Sequence, residues 1–320
     1  MKKLILICII NIIIGFSCRK DNNSNSIQNL QWQQTSLLNC NVESSLISGN
    51  NIFIGSDHGV YLSSDFGSTW TNVSTGLNNQ TVDALAMNGN TIFAGTYGGG
   101  IFISSNKGQL WTAANKGLPS NASGINVLVV NGNNIFASTV DTGIFVSSNN
   151  GSSWSAVNNG LPVSSIQINT LATIGNTIFA GTTDGVFLSA NNGVSWDSVN
   201  TGIPYGTCVM SFTANGSYIF AGTTEGLYVS PIRAYNWTKA SYGLPPANVS
   251  FISTMAVNGY NVFAGINGSG IYLSSNNGHS WTAENTGLAN CTDIFMLFIC
   301  GPYIFGGSWG DDMGIWRSPL

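Results

Sequence analysis

The chain has 320 residues, of which only 7% are charged, with a formal net charge of −4 and a sequence pI near 4.9. Nine Lys and Arg residues over this length form no basic patch, so the composition argues against a nucleic-acid-binding protein. The polar surface must instead be built from Asn, Ser, Thr and Gly, which suits an exported protein.

The chain starts with an export signal. Met1, Lys2 and Lys3 form a basic start, and residues 4–16 are apolar apart from Asn11 and Gly15. This run is shorter than the roughly 20 apolar residues that span a bilayer. A basic start, a short apolar core and a small residue before a break predict a signal peptide over residues 1–17.

Cys18 follows that break, and residues 15–18 (Gly-Phe-Ser-Cys) resemble the lipobox of bacterial lipoproteins. The resemblance implies that the Cys18 thiol is lipidated and becomes the new N-terminus. Cleavage without lipidation is the alternative, but it would leave a reactive thiol at the mature N-terminus. Residues 18–29 are rich in Asn and Ser and predict a flexible tether.

These features predict a location in the cell envelope, with the lipid in the outer membrane or at the cell surface. The charged cluster of residues 19–21 is similar to the surface-export signals of Bacteroidetes lipoproteins. A periplasmic or secreted protein is the alternative.

The phrase Ile-Phe-Ala-Gly-Thr, or a close variant, recurs about every 42 residues, and this period is typical of a repeat architecture. Each repeat buries its apolar face only by packing on its neighbours. The phenylalanines of the seven copies are Phe53, Phe93, Phe136, Phe179, Phe220, Phe263 and Phe305.

Each repeat predicts four short strands. In one copy they cover residues 168–174, 177–182, 186–189 and 195–199, separated by Gly- and Asn-containing turns. Asn-Gly pairs such as those at 88–89 and 215–216 predict tight hairpins that require positive φ. Four strands in such a unit describe one blade of a β-propeller.

The tryptophans predict how the ring closes. One Trp opens the fourth strand of each of the first six repeats and stands six residues before a Gly: Trp70, Trp111, Trp154, Trp196, Trp237 and Trp281. The seventh repeat has only three strands, whereas Trp32 precedes the first repeat. We therefore predict an all-β, seven-bladed propeller over residues 30–320, closed by an N-terminal strand that completes the last blade.

The turn before Trp70 carries a known motif. Residues 63–70 (Ser-Ser-Asp-Phe-Gly-Ser-Thr-Trp) match the Asp-box, or BNR repeat, and softer copies with Asn in place of Asp precede four other tryptophans. We expect a structural role, in which Asp65 accepts hydrogen bonds within its own turn and Gly supplies a left-handed residue. The motif residues are Ser63, Asp65, Gly67, Thr69 and Trp70.

The repeats resemble those of sialidases, xyloglucan-cleaving glycosidases, sortilin-type receptors and photosystem II assembly factors. The resemblance implies a propeller fold and no single activity. Sialidases hold the substrate carboxylate with three arginines, but this chain has only Arg19, Arg233 and Arg317, and Arg19 lies in the tether. The xyloglucanases use carboxylates between two propellers, the receptors need ten blades, and the assembly factor has a basic patch that is missing here.

Several turns after second strands carry an acid, and these turns share one face of the ring with the loops that precede first strands. Such an acidic rim could collect a cation or a basic partner. The alternative, which we favour, is that Asp-Gly is simply suitable turn chemistry. The acids in question are Asp57, Asp141, Asp184, Glu225 and Asp311.

The remaining cysteines match no zinc pattern. Cys40 and Cys291 precede the first strands of blades one and seven, which a closed ring makes neighbours, so a disulfide between them is one hypothesis. Cys208 lies in a comparable loop and leaves the pairing open. His58 and His279 have no nucleophile at a suggestive spacing, and we expect no metal and no cofactor.

We conclude from the sequence that the protein is a non-catalytic binding or scaffold module for a protein or a glycan. One alternative is a glycan-active hydrolase that uses acids on the loop face. Another is an assembly factor of an envelope complex. We expect a monomer that binds no nucleic acid and contacts the membrane only through its N-terminal lipid.

Overall fold

Seven four-stranded antiparallel sheets form a closed ring in the computed structural model. The structure describes residues 29–78, 81–120, 124–162, 167–247, 250–288, 291–310 and 313–320. The predicted signal peptide, Cys18 and nearly all of the predicted tether lie outside the described residues. In the described ranges, none of the chain forms a helix long and apolar enough to cross a membrane.

The first strand of each blade lies innermost, and the second strand is hydrogen-bonded to its outer side. The first strands are β2 (Val42–Ser48), β6 (Val82–Asn88), β10 (Ile125–Asn131), β14 (Ile168–Ile174), β18 (Val209–Ala214), β22 (Ile252–Asn258) and β26 (Ile294–Cys300). The second strands are β3 (Asn51–Ser56), β7 (Thr91–Thr96), β11 (Asn134–Thr139), β15 (Thr177–Thr182), β19 (Tyr218–Thr223), β23 (Asn261–Ile266) and β27 (Tyr303–Ser308).

The third and fourth strands complete each blade towards the outside of the ring. The third strands are β4 (Gly59–Ser63), β8 (Gly100–Ser104), β12 (Gly143–Ser147), β16 (Gly185–Ser189), β20 (Gly226–Pro231), β24 (Gly270–Ser274) and β28 (Gly314–Pro319). The fourth strands are β5 (Thr71–Asn72), β9 (Thr112–Ala113), β13 (Ser155–Ala156), β17 (Asp197–Ser198), β21 (Thr238–Lys239), β25 (Thr282–Ala283) and β1 (Gln33–Leu38).

The recurring Phe and Gly of the second strands explain how blades pack. Phe179 is 1% exposed and packs in the cluster between blades four and five, and its six counterparts occupy the other interfaces in the same way. Gly181 faces the same neighbour, where an added Cβ would lie 2.8 Å from a Val209 side-chain carbon. The repeat therefore encodes a large apolar contact beside a close backbone approach.

The ring closes as the sequence predicts. Strand β1 pairs antiparallel with β28, with Gln33 opposite Arg317. Trp32 then takes the role of the fourth-strand tryptophans: its Nε1 donates to the Glu284 carbonyl oxygen at 2.8 Å, as that of Trp154 donates to Ala114. The N-terminal segment thus completes blade seven and covers the edge of β28.

The turns between third and fourth strands contain the hydrogen bonds expected of the motif. In the first blade, the Thr69 backbone N–H and hydroxyl donate to Asp65 at 2.9 and 2.6 Å, and the Gly67 N–H donates to Ser63 Oγ at 2.8 Å. These bonds hold the pKa of Asp65 down, at about 2, chiefly through Thr69. The turn after β20 differs, with Pro231 following Ser230.

The hairpin at residues 215–216 departs from the expected two-residue turn. Strands β18 and β19 are separated by three residues, and Gly216 lacks the positive φ found at Gly132. The Asn215 side-chain oxygen instead accepts the backbone N–H groups of Ser217 and Tyr218 at 3.0 and 2.9 Å. Asn215 therefore builds a side-chain-stabilised turn.

The structure does not contain the hypothesised Cys40–Cys291 disulfide. Cys40 is a free thiol in the hydrophobic cluster between blades seven and one, whereas Cys291 packs with Trp32 between blades six and seven. The two residues therefore belong to different blade interfaces. Burial raises the pKa of the Cys40 thiol to about 12, with a further contribution from the charges of Asp57 and Glu43, so it is a poor nucleophile.

Candidate functional site

Every first strand has a β-bulge at its second residue. In β6, Val82 lies opposite Thr96 and Ala84 opposite Gly95, which leaves Asp83 without a partner across the ladder. The same shift occurs in all seven blades. The bulged residues are Glu43, Asp83, Asn126, Asn169, Met210, Ser253 and Phe295.

A bulge takes its residue out of the alternation between the two faces of a sheet. Val82 and Leu85 pack against blade one, and Ala84 packs towards blade three. The bulged residues Met210 of blade five and Phe295 of blade seven pack in one cluster although their blades are not neighbours, so this register position lies near the ring axis. The seven bulged residues therefore encircle the central channel.

These residues lie at the start of the first strands, next to the loops that follow second and fourth strands. We call this side of the ring the upper face and the opposite side the lower face. Propeller loops on one face of a rigid ring are well placed for binding. The upper end of the channel is thus the candidate site.

Blades one to four present a polar arc, formed by Glu43, Asp83, Asn126 and Asn169. Asp83 is 1% exposed and Asn126 2% exposed, yet Asp83 Oδ2 and Asn126 Oδ1 have no hydrogen-bond partner. Asn169 differs because its Nδ2 donates to the Val209 carbonyl oxygen at 3.2 Å. Buried acceptors without a partner are costly, and two of them side by side mark this arc as unusual.

The two carboxyl groups of the polar arc have strongly raised pKa values. Burial raises the pKa of Asp83 to about 7. Burial and then the charges of Asp83 and Asp57 raise the pKa of Glu43 to about 9. At neutral pH the pair therefore retains at least one proton, and a positive charge beside it would favour ionisation.

Blades five to seven present an aromatic arc, formed by Met210, Phe251, Phe295 and Trp309. The rings of Phe295 and Trp309 stack with centroids 4.5 Å apart, and Phe251 lies 6.4 Å from Phe295. Met210 packs in the same cluster. Trp309 is half-buried and its Nε1 donates to the Val42 carbonyl oxygen at 3.1 Å, which fixes the indole between blades seven and one.

Ser253 is polar but does not extend the polar arc. Its hydroxyl lies within hydrogen-bond distance of the carbonyl oxygens of Gly265 and Ile294. The group is thus used within the backbone of blades six and seven. The mouth of the channel is therefore two-sided, with acceptors on one side and rings on the other.

Two acids of the predicted rim, Asp57 and Asp184, accept hydrogen bonds from the loops that precede first strands. Asp57 accepts from the Asn41 N–H at 3.1 Å and from the Asn41 side chain at 2.9 Å, and Asp184 accepts from the Gly206 N–H at 2.9 Å. These bonds tie second-strand turns to the loops before first strands. Among the described residues, no group of three or more His, Cys, Asp or Glu could hold a metal ion.

Glu225 lies in the second-strand turn of blade five. The Glu225 backbone N–H donates to Thr223 Oγ1 at 3.0 Å, and the charge of Glu225 adds to burial in raising the pKa of Tyr228. Asp141 lies in the equivalent turn of blade three, and Asp311 lies outside the described residues. The acids that do reach the channel, Glu43 and Asp83, were not identified from the sequence.

The upper face also carries exposed tyrosines. Tyr205 in the loop before β18 is 95% exposed, and Tyr97 directly after β7 is 47% exposed. Both stand on loops of the same face as the channel mouth. On the lower face, Tyr260 in the hairpin between β22 and β23 is 74% exposed and provides a comparison.

Comparisons with known proteins place the chain among seven-bladed propellers. No protein-family model and no curated protein matches it. It is similar in structure to the extracellular domain assigned to a hybrid two-component system of B. thetaiotaomicron (TM-score 0.74, 16% identity, 90% of this chain and 40% of that one). The chain thus spans about two fifths of that protein.

Two further solved structures share the fold. The GH74 xyloglucanase from Xanthomonas campestris has a TM-score of 0.67 at 16% identity, over 90% of this chain and 53% of the enzyme. YCF48 from Cyanidioschyzon merolae has a TM-score of 0.69 at 15% identity, over 90% of this chain and 98% of that one. A YCF48 structure bound to a D1 peptide gives 0.70 at 14% identity, over 92% and 96%. At these identities the likeness concerns the fold alone.

Proposed function

We propose that this protein is an exported, lipid-anchored propeller that acts as a non-catalytic binding or scaffold module, and that its upper face binds a protein or a glycan. The observation that carries the proposal is the two-sided channel mouth. It combines unpartnered buried acceptors with half-buried aromatic rings.

The comparisons support a binding role in general terms. One structural neighbour is the extracellular domain of a sensor, and another has been solved with a bound peptide. Anchoring through Cys18 and an envelope location remain part of this proposal. An assembly factor of an envelope complex is the same type of module with a fixed partner.

A glycan-active hydrolase is the second candidate, because Glu43 and Asp83 have raised and different pKa values. Such a pair can divide the acid and base roles of glycoside hydrolysis. However, the two residues come from neighbouring blades of one ring. A hydrolase would need both carboxyls to reach opposite sides of a glycosidic bond, so we prefer the binding role.

The test combines a glycan array, a glycoside-hydrolysis screen and photo-cross-linking of the exported protein on intact cells. We expect ligand binding or one reproducible cross-linked partner, without turnover. Trp309→Ala and Tyr205→Ala should weaken binding at least tenfold, whereas Tyr260→Ala on the lower face should leave it unchanged.

Two results would overturn the proposal. Hydrolysis that is abolished by Asp83→Asn or Glu43→Gln would show that the protein is an enzyme. Binding that depends on Tyr260 and not on Trp309 or Tyr205 would move the ligand to the lower face.

A further inference from the structure

We propose that the polar arc binds the cationic group of a ligand, an ammonium or guanidinium carried on an apolar body, as in a lysine or arginine side chain of a partner protein. This inference rests on the proposed binding function and specifies its ligand chemistry. The aromatic arc receives the apolar body.

The polar arc contains hydrogen-bond acceptors that no donor of the described residues reaches. Asp83 Oδ2 and Asn126 Oδ1 are buried and unpartnered, and neighbouring Glu43 adds a second carboxyl group. Ammonium and guanidinium groups only donate hydrogen bonds, so they complement a set of acceptors. Charge-assisted bonds of this type are about twice as strong as neutral ones.

In the part of the chain that the structure describes, the two carboxyl groups of the polar arc lack a positive charge that would offset the cost of ionising them. Burial places Asp83 and Glu43 where their ionised forms are disfavoured, and the charge of Asp83 further disfavours ionisation of Glu43. No lysine, arginine or histidine within the described ranges forms an ion pair with either carboxyl, since the one pair found there joins His58 to Asp57. A ligand cation would supply the missing positive charge.

The aromatic side of the channel mouth favours an organic cation over a metal ion. The opposite side of the mouth consists of Met210, Phe295 and Trp309 rather than oxygen ligands. A calcium ion needs six to eight oxygens, whereas an alkylammonium places its charge at the polar arc and its methylenes against the rings. The rings add cation–π attraction for a group that passes over them.

The experiment measures binding of three small probes to the exported protein at pH 8 by titration calorimetry and NMR. The probes are n-hexylammonium, which has charge and an apolar body, 1-hexanol, which has only the body, and Ca²⁺, which has only charge. We expect hexylammonium to bind at least tenfold more tightly than the other two. Glu43→Gln combined with Asp83→Asn should weaken it at least tenfold.

The matched control is Asp197→Asn, the same chemical change at an exposed residue of β17 on the outside of the ring. It should leave the affinity for hexylammonium unchanged. Trp309→Ala should weaken hexylammonium and hexanol alike. A circular-dichroism melt of each variant separates lost binding from lost folding.

Three outcomes overturn the inference. The inference is wrong if hexanol binds as tightly as hexylammonium, if Ca²⁺ binds in place of hexylammonium, or if none of the three probes saturates the protein. The proposed function would survive if a cross-linked partner were still captured equally by wild type and by the Glu43/Asp83 double variant. Conversely, selective hexylammonium binding without any captured partner or glycan would support the inference and count against the broader function.

Discussion

Asp83 is a carboxylic acid at a position where the next two blades carry asparagine. In blade four, the Asn169 side chain at this position donates a hydrogen bond from Nδ2 to the carbonyl oxygen of Val209, the first residue of the next blade's first strand. Asp83 cannot donate when it is ionised. Its carboxyl therefore costs folding free energy that an amide at the same place would not.

We predict that Asp83→Asn stabilises the protein at alkaline pH. The folded-state pKa of Asp83 is raised from 3.8 to about 7, so the folded chain binds this proton more tightly than the unfolded chain. Stability is thus lost as pH rises from about 4 to about 7. At about 1.4 kcal/mol per pH unit, the variant should gain about 1–3 kcal/mol in free energy of unfolding at pH 8.

Urea unfolding at pH 4.5 and pH 8 checks this, with Glu43→Gln as a second variant. Glu43 should behave similarly over a wider window, because its pKa is raised from 4.5 to about 9 by burial, Asp83 and Asp57. The nearby Cys40 thiol stays protonated throughout this range. Destabilisation of Asp83→Asn at pH 8 would mean that the carboxylate has a partner that compensates its burial.

Gly160 is one of the glycines that follow the fourth strands, and it can be used to test their role. It has φ +92°, and an added Cβ would lie 2.2 Å from the Trp196 carbonyl oxygen of the next blade. We expect Gly160→Ala to cost at least about 2 kcal/mol, because backbone must move. Gly132→Ala is the control, with φ +60° but no atom within 4 Å. It should cost only about 1 kcal/mol.

Equal losses for the two variants, measured by thermal or urea unfolding, would show that positive φ alone explains both glycines. The sequence already predicts that these glycines matter, since each stands six residues after a tryptophan. It does not reveal that the contact is made with the tryptophan of the following blade, which depends on how blades pack.

At the scale of elements, the turn of Asp65 is built from local bonds that other blades reproduce with asparagine. In blade four, Asn191 Oδ1 accepts the Ser195 N–H at 3.0 Å, and its Nδ2 lies 2.9 Å from the Ser195 hydroxyl. Either side chain can thus close the turn. Only the carboxylate makes the turn sensitive to acid.

We therefore predict that Asp65→Asn is nearly neutral at pH 7, whereas Asp65→Ala loses about 1–2 kcal/mol because backbone donors lose their acceptor. The pKa of Asp65 is lowered to about 2, so its contribution is present above about pH 4 and lost as pH falls through 2. Melting temperatures from pH 5 to pH 2.5 should fall less steeply for Asp65→Asn than for wild type. Parallel curves would contradict the assigned bonds.

The strands were predictable because their signals are local. Residues 168–174 and 177–182 coincide with β14 and β15, since alternation and turn residues act within each hairpin. The fourth strands are shorter than predicted, with only Asp197 and Ser198 in β17. The three-residue turn at Asn215 was missed because an Asn-Gly pair does not by itself specify loop length.

The candidate site was less predictable. The sequence points to the acids of the turns, whereas Asp57 bonds to the loop before its own first strand and Asp184 to the loop that leads into blade five. A usable signal was present, because Glu43, Asp83 and Asn126 are polar residues at one register position, directly after the Val or Ile that begins each first strand. Its meaning depends on the bulge, which exists only after the first and second strands are paired.

At the scale of the whole molecule, the ring depends on one N-terminal strand. Trp32 is 3% exposed and donates to Glu284, while Trp70 is half-buried and makes a longer bond of 3.3 Å to Thr35 Oγ1. The two tryptophans lie on either side of the closure. Substitution of one or the other should therefore weaken the closure by different amounts.

We predict that Trp32→Ala lowers the free energy of unfolding by about 3–5 kcal/mol and that Trp70→Ala lowers it less. Removal of residues 1–38 should go further, because it exposes the edge of β28 and the buried Trp316. Size-exclusion chromatography should then show association or aggregation. A monomeric truncated protein with an unchanged melting temperature would show that closure by β1 is dispensable.

The pairing of β1 with β28 also sets an order of events during synthesis. The Gln31 N–H donates to Ser318 Oγ at 2.8 Å across 287 residues of sequence. Strand β1 is therefore synthesised long before β28, the strand with which it pairs. Blades one to six can form as the ribosome proceeds, but the seventh cannot. The slow, non-local step comes at the end of the chain. In a nascent molecule the ring therefore stays open until β28 has been translated.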